Sequence, residues 1–359
     1  MNESTFRILV VNPGSTSTKV AIFENAKECH KATIEHPADQ LAEFDLTSEQ
    51  LDLRRRAIEE WLESLSDKDA PFDAVAGRGA PLKPLEGGTY SISEQMLEDV
   101  RTSKYSNHAS NLGPMLADYF SKKFAVPAYV TDPITVDNFT DIARISGLPE
   151  IQRKCRSHAL NIKAVGRAEA AKLGKKLDEA DFVVAHMGGG ISVASLHRGK
   201  IVDVNDGLLG MGPFSPDRAG ALPIGALVEL CYSGKYEKKE LITILSKKSG
   251  LTAYLGESDL REVEKMIDGG DKQARLVFEA MCYQIAKEIG AASAALKGKI
   301  DAIILTGGMA HSKRLTSVIV DHVRFIAPVK IVAGEYEMEA LAEGAMRVLT
   351  GEEEVKVYR

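Results

Sequence analysis

The chain has 359 residues, with 45 Lys and Arg against 51 Asp and Glu for a formal charge of −6, and is 44% hydrophobic and 27% charged. That length is more than one core comfortably serves, so two domains of ordinary size with a cleft between them are expected, and the composition excludes disordered and fibrous classes. The basic residues are scattered rather than clustered, which argues against a nucleic-acid-binding surface.

The start, from Met1 through polar residues into a short apolar run, lacks the basic and apolar regions of a secretory signal. No apolar run reaches the roughly 18 to 20 residues that a membrane span requires. Cys29, Cys155, Cys231 and Cys282 are far apart and form no Cys-x-x-Cys pair. A reducing, cytoplasmic location with no membrane partner is the expectation.

Phe6 to Val11 and Lys19 to Phe23 read as the strands of a β-hairpin, tipped by Asn12-Pro13-Gly14-Ser15-Thr16-Ser17-Thr18. A third strand is expected near Ala32 to Glu35. Thr47 to Gln50 has the form of a capping box, ahead of Leu51, Ile58, Trp61, Leu62 and Leu65 at helical spacing. Val75-Ala76 reads as the end of another strand, running into Gly77-Arg78-Gly79.

The same order returns later. Phe182 to His186 ends at Gly188-Gly189-Gly190, Ser192 to Leu196 resumes, and Lys200 to Val204 follows the Arg198-Gly199 turn. Two α/β halves of duplicated architecture are therefore expected, although no residue-level repeat is visible. Ala302 to Leu305 forms a further strand into Thr306-Gly307-Gly308, with a helix from Ser312 onward. Glu335 to Arg347 should be the last long helix, placed to pack back on the first half.

Three loops follow apolar strands, and each can hold phosphate. In the first, Gly14, the hydroxyls of Ser15 to Thr18 and the Lys19 ammonium supply donors of the kind that hold anionic oxygens. Its spacing is not that of a Walker A loop, and taken alone it also reads as a surface hairpin. Gly188-Gly189-Gly190 and Gly307-Gly308 lack a Cβ and allow close approach of backbone to phosphate. A single glycine pair is more often a turn, so the weight lies on the three together.

Six blocks carry a family resemblance: Val11 to Lys19, Asn107 to Gly113, Ala143 to Glu150, His186 to Ser192, Gly212 to Gly220 and Glu337 to Ala345. They resemble the signatures of the butyrate kinases, relatives of the acetate kinases, over nearly the whole chain. The resemblance implies two duplicated ribonuclease-H-like domains of the actin-like ATPase fold. It places an acceptor-side domain at 1–154, with 336–359 packing back on it, and a nucleotide-binding domain at 155–335. It also implies transfer of the γ-phosphoryl group of ATP to a short fatty acid, Mg2+ with the ATP, and a homodimer or higher homo-oligomer.

By the same resemblance Arg78 and Arg218 are the active-site arginines, and planar guanidinium groups suit the equatorial oxygens of a transferring phosphoryl group. His158 matches a histidine bonded to that group, and His108 one on the acceptor side. Asp132 matches the metal-side aspartate, with Glu337 or Glu339 as its partner. Asn12, Ser15, Ser17, Lys19, His186, Gly188, Gly189, Gly190, Gly307 and Gly308 complete the phosphate and nucleotide environment, with Asn12 also near the metal.

Two departures bear on specificity. Gly189 stands where acetate kinases carry Asn, which points to the butyrate branch. Ser157 stands before His158 where both branches carry an aromatic, so a longer or branched acid could fill that space; acetate, propionate and isobutyrate stay open as acceptors because an apolar pocket discriminates one methylene only weakly. A nucleotide-switched, actin-like binding protein is the alternative from another class, and it has no need of Arg78, His158 and Arg218 together.

Overall fold

In the computed structural model residues 5–359 are described, and the polar start at residues 1–4 lies outside them. The chain divides into two compact units, residues 5–137 with Tyr336–Arg359, and Asn138–Glu335.

In the first unit β1 (Arg7–Pro13), β2 (Ser17–Glu24) and β3 (Lys27–Glu35) form an antiparallel meander. β4 (Ala74–Arg78) lies parallel to β1, β5 (Thr89–Ser91) is a short antiparallel strand, and β6 (Ala128–Thr131) lies parallel to β4. In the second unit β7 (Asp181–Met187), β8 (Ile191–His197) and β9 (Lys200–Val204) repeat the meander, and β10 (Ala302–Gly307) and β11 (Val329–Ala333) repeat the parallel additions. The order β6-β4-β1-β2-β3 thus matches β11-β10-β7-β8-β9, strand for strand and sense for sense. β12 (Lys356–Val357) pairs with β5 at the edge of the first sheet.

Every residue of β1 is buried because both faces of the sheet are covered, which is why Ile8 to Val11 read as an uninterrupted apolar run. Leu9 and Val11 point to the side of the helices Leu51–Glu63 and Leu112–Phe124, where they meet Ile58, Leu62, Leu116 and Phe120. The helix Glu337–Leu349 packs on β1, β4 and β6. In the second unit Val183, Ala185 and Met187 face the long helix Lys272–Ala295 and the helix Lys313–Val323, while Ala159–Lys172 packs on β7, β8 and β10.

The helix that follows the fifth strand of each five-stranded set therefore belongs to the other unit. Each of these two helices carries a glycine at its eighth position where it meets the sheet. A Cβ on Gly344 would lie 2.0 Å from Thr131 Oγ1, and one on Gly166 2.5 Å from Leu196 Cδ2. Close helix–sheet approach requires a residue without a side chain at both places.

The capping box expected at Thr47 to Gln50 does not form, and only a glutamate half is present one residue earlier, since Leu46 has no side-chain acceptor. Glu49 accepts from the backbone N–H of Leu46, and the Thr47 hydroxyl donates to Asn107 Oδ1 instead. Thr47–Gln50 is a 3₁₀ turn that leads into the helix at Leu51. Ser312, by contrast, caps its helix as expected, accepting from the N–H of Leu315 at 2.9 Å. Among the described residues no helix is long and apolar enough to cross a membrane.

Candidate active site

In the first unit the candidate residues gather at the carboxyl ends of the parallel strands, where open α/β sheets hold their ligands. Asn12 lies near the end of β1, Arg78 ends β4, and Asp132 follows β6. Glu337 opens the helix laid across those strands. Arg78 Nη1 donates to Glu337 Oε2 at 2.5 Å and to Asn12 Oδ1 at 3.1 Å, and Asn12 Nδ2 donates to the same Glu337 oxygen at 2.9 Å. Of the two glutamates left open by the sequence, Glu337 joins this cluster. Glu339 makes no hydrogen bond or ion pair among the described residues, because two helical residues rotate a side chain by about 200°.

Asp132 is buried and takes a left-handed backbone with φ of 41°, unusual for a residue with a Cβ. Reciprocal bonds with Gly88 fix it there: its Oδ1 accepts from the Gly88 N–H at 2.8 Å and its own N–H donates to Gly88 O. His108 caps a short 3₁₀ turn through Nδ1, which accepts from the Ser110 N–H at 3.2 Å. Partial burial first, and the Arg78 charge second, hold its pKa below the ordinary imidazole value.

The hairpin tip brings its donors to the surface. Ser15, Thr16 and Lys19 are exposed, and β1–β2 register sets Lys19 directly opposite Asn12, so both side chains leave the same face. Beneath the tip lies Arg54, fully buried, which was not among the candidate residues read from the sequence. Helical periodicity could have found it, since Arg54 shares the inward stripe of Leu51, Ile58 and Leu62.

In the second unit β7 carries His186 on the face covered by Ala159–Lys172. The rings of His158 and His186 stack with centroids 4.0 Å apart and 13° between planes. His158 Nδ1 meets Ser192 Oγ at 2.9 Å. Asn161, which was not among the candidate residues, donates from its amide to His186 Nδ1 at 2.9 Å and to Thr306 Oγ1 at 3.3 Å. His186 thereby carries its proton on Nε2, 4.0 Å from Glu335 Oε1.

Gly188, Gly189 and Gly190 form the β7–β8 turn, closed by the Gly188 N–H on Gly190 O at 3.1 Å. None of the three takes a left-handed backbone, and a Cβ on Gly188 or Gly189 would meet little. Gly190 differs: a Cβ there would lie 2.2 Å from Arg218 Nη1. The glycine makes room for a guanidinium. Arg218 Nη1 donates to Gly207 O, its Nε has no hydrogen-bond acceptor, and the Asp217 carboxylate stands 3.9 Å away. Ser215 ties this loop to the turn, donating to Gly189 O at 2.5 Å and accepting from the Arg218 N–H at 3.2 Å. Gly307 ends β10 in reciprocal hydrogen bonds with Gly334, and Gly308 begins a 3₁₀ turn.

Ser157 does not provide an apolar wall, and its Oγ is buried without a partner. Beside the arginine loop lies a cavity of about 520 Å³, largely apolar, lined by Phe214, Ala219, Leu222, Leu245 and Tyr254 among others.

The acetokinase family pattern matches residues 151–350. "Probable butyrate kinase 2" of Caldanaerobacter subterraneus subsp. tengcongensis is 50% identical over 353 residues, 98% of this chain and 99% of the relative. The crystal structure of Porphyromonas gingivalis acetate kinase superposes with a TM-score of 0.78 at 20% identity, covering 96% of this chain and all of that one. A propionate kinase from Francisella tularensis gives 0.72 at 18% identity, covering 94% and 98%. At these identities the two structures speak for the fold, which is the duplicated α/β kinase architecture; the near-full-length relative and the family pattern speak for descent, and this chain belongs to the acetokinase family.

Proposed function

We propose that this chain is a butyrate kinase, transferring the γ-phosphoryl group of ATP reversibly to the carboxylate of butyrate. The observation that carries the reading is 50% identity to a probable butyrate kinase over 98% of the chain. A carboxylate already offers a nucleophilic oxygen, so the chemistry requires alignment and charge neutralisation rather than a base. The residues supply that. Arg218 has a guanidinium edge without an acceptor, suited to charge that builds on a phosphoryl group in flight. The His158–Ser192 and His186–Asn161 bonds fix two imidazoles as oriented, polar groups at the glycine turn.

In the first unit Ser15, Ser17 and Lys19 bind phosphate, while Arg78 and His108 serve the acceptor side. Gly307 and Gly308 line the nucleotide. Mg2+ is a hard cation that takes one or two carboxylates and keeps its waters. The all-oxygen side-chain set of Asp132 and Glu337, with the Asn12 carbonyl, fits it, and Asp132 is already fixed by Gly88. These three would hold the ion, which supplies neutralisation of phosphate charge when bound. Glu339, on the far side of the helix, is not needed for it.

A reducing, cytoplasmic compartment agrees with four cysteines that are all free. The homo-oligomer implied by the family resemblance is supported by the helix Ile224–Tyr232, which buries none of its residues although six of its nine are Ile, Ala, Leu, Val or Tyr.

Trapping acyl phosphate with hydroxylamine tests the reaction. With Mg-ATP, butyrate should give the largest signal in a series of acetate, propionate, butyrate and isobutyrate, and a no-acid blank should give none. An apolar pocket discriminates one methylene by only about 1 to 3 kcal/mol, so neighbouring acids should follow within a few hundredfold. A wide lead for acetate would overturn the butyrate assignment, and ADP release without any acid would overturn the kinase.

A further inference from the structure

Arg54 lies on the inward face of the helix Leu51–Glu63 with no exposed surface, directly under the β1–β2 tip. Its Nη1 donates to Gly14 O at 2.8 Å, Ser17 O at 3.0 Å and Thr18 Oγ1 at 3.1 Å, and its Nη2 to Ser15 O at 3.1 Å. Gln50 Oε1 takes the remaining edge, at 2.8 Å from Nη2 and 3.2 Å from Nε. Every one of these acceptors is neutral. Among the described residues no carboxylate lies within ion-pair distance of Arg54, although an unpaired charge is expensive to bury. Burial lowers its pKa only to about 10, so the group is charged at neutral pH.

The carbonyls it collects decide where the loop's donors point. A trans peptide holds C=O and the next N–H on opposite sides of one plane. With Gly14 O and Ser15 O drawn inward to Arg54, the N–H groups of Ser15 and Thr16 are turned outward. Neither N–H donates to any group among the described residues, and both residues are exposed. The His36 N–H holds Thr16 O at 2.8 Å, and the His36 ring meets Thr18 Oγ1 at 2.8 Å, so the tip is fastened from both sides.

We propose that Arg54 is the positioning residue of the phosphate loop: it aims the Ser15 and Thr16 N–H groups at the polyphosphate of ATP, and its unpaired charge lies behind them to attract that anion. The proposal rests on the phosphate-loop reading above. The ligand supplies the negative charge that the fold withholds from Arg54.

Gln50→Glu is the deciding variant, because it is isosteric and pairs the buried charge without moving it. Melting temperature should hold or rise, the KM for ATP should rise on the order of tenfold, and the KM for butyrate should stay within twofold. Lys19→Met, run beside it, should also raise the KM for ATP. A stable Gln50→Glu protein with unchanged KM for ATP, while Lys19→Met raises it, would leave Arg54 a purely structural group and overturn the proposal. No change in either variant would overturn the phosphate-loop reading itself. Should Gln50→Glu not fold, Arg54→Lys keeps the charge but loses the fork. Faster amide exchange at residues 14–18 together with a raised KM for ATP supports positioning, and faster exchange with an unchanged KM overturns it.

Discussion

In the first unit Arg78 ends its strand with the guanidinium against Glu337 and Asn12, whereas in the second unit Arg218 leans over Gly190 with a backbone carbonyl as acceptor and a carboxylate no nearer than 3.9 Å. The two sheets have one strand order, and both arginines lie beside the carboxyl end of its strands. Their electrostatic settings differ nonetheless. Arg78 is already neutralised by a half-buried partner, so much of its charge is committed to holding β4, β1 and the last helix together. Arg218 has only a longer pairing, its Nε 3.9 Å from Asp217 Oδ1. The two units share one scaffold and differ in how their arginines are paired, with a carboxylate at 2.5 Å bracing Arg78 and one at 3.9 Å beside Arg218.

Removing each arginine is the strongest way to break that comparison. Arg218→Ala should lower kcat by about 10³-fold, the loss typical of a donor that acts on developing charge, with little change in melting temperature. Arg78→Ala should lower activity too, but it also leaves Glu337 without its cation and should destabilise the fold by about 2 kcal/mol. Kinetics with the hydroxamate trap and thermal melts on both variants decide the matter. Equal loss of stability in the two would erase the distinction.

Gly190→Ala sharpens the same point from the other side. The new methyl would lie 2.2 Å from Arg218 Nη1, so the guanidinium must move while the charge stays in the protein. A displacement near 1 Å from productive geometry is worth about 10²-fold in rate. The expected result is a fall in kcat of that size with unchanged melting temperature, and a Gly189→Ala control close to wild type because its Cβ meets nothing.

Much of this was legible in the sequence. Apolar runs stopping at small-residue turns marked β1, β2, β7, β8 and β10, and their repeated order announced the duplication, since a strand buried on both faces is mostly apolar. What stayed hidden depended on partners distant in the chain. β12 is two residues long and exists because β5 accepts it, over 260 positions earlier. Glu337 and Glu339 look alike until a helix turns one of them toward Arg78. Glycine in the β7–β8 turn suggested room for phosphate, yet at Gly190 the space is taken by Arg218, a residue 28 positions away whose loop had to be folded first. Arg54 was missed because charge was taken to mean exposure.

That buried arginine also sets the smallest effect, on pH. His36 is buried against the same loop, and burial first, then the Arg54 charge, lower its pKa from 6.5 to about 4. The folded protein therefore resists protonation that the unfolded chain accepts. Between those two values the unfolded state binds more protons, so stability is complete above pH 6.5 and is lost as pH falls toward 4. From pH 7 to 5.5 the loss from this one group is about 1 kcal/mol. Urea melts across that range on wild type and on His36→Gln should differ in slope by that amount, with the variant the flatter. Parallel slopes would mean that His36 is protonated in the fold with no penalty, and that the Arg54 charge does not reach it.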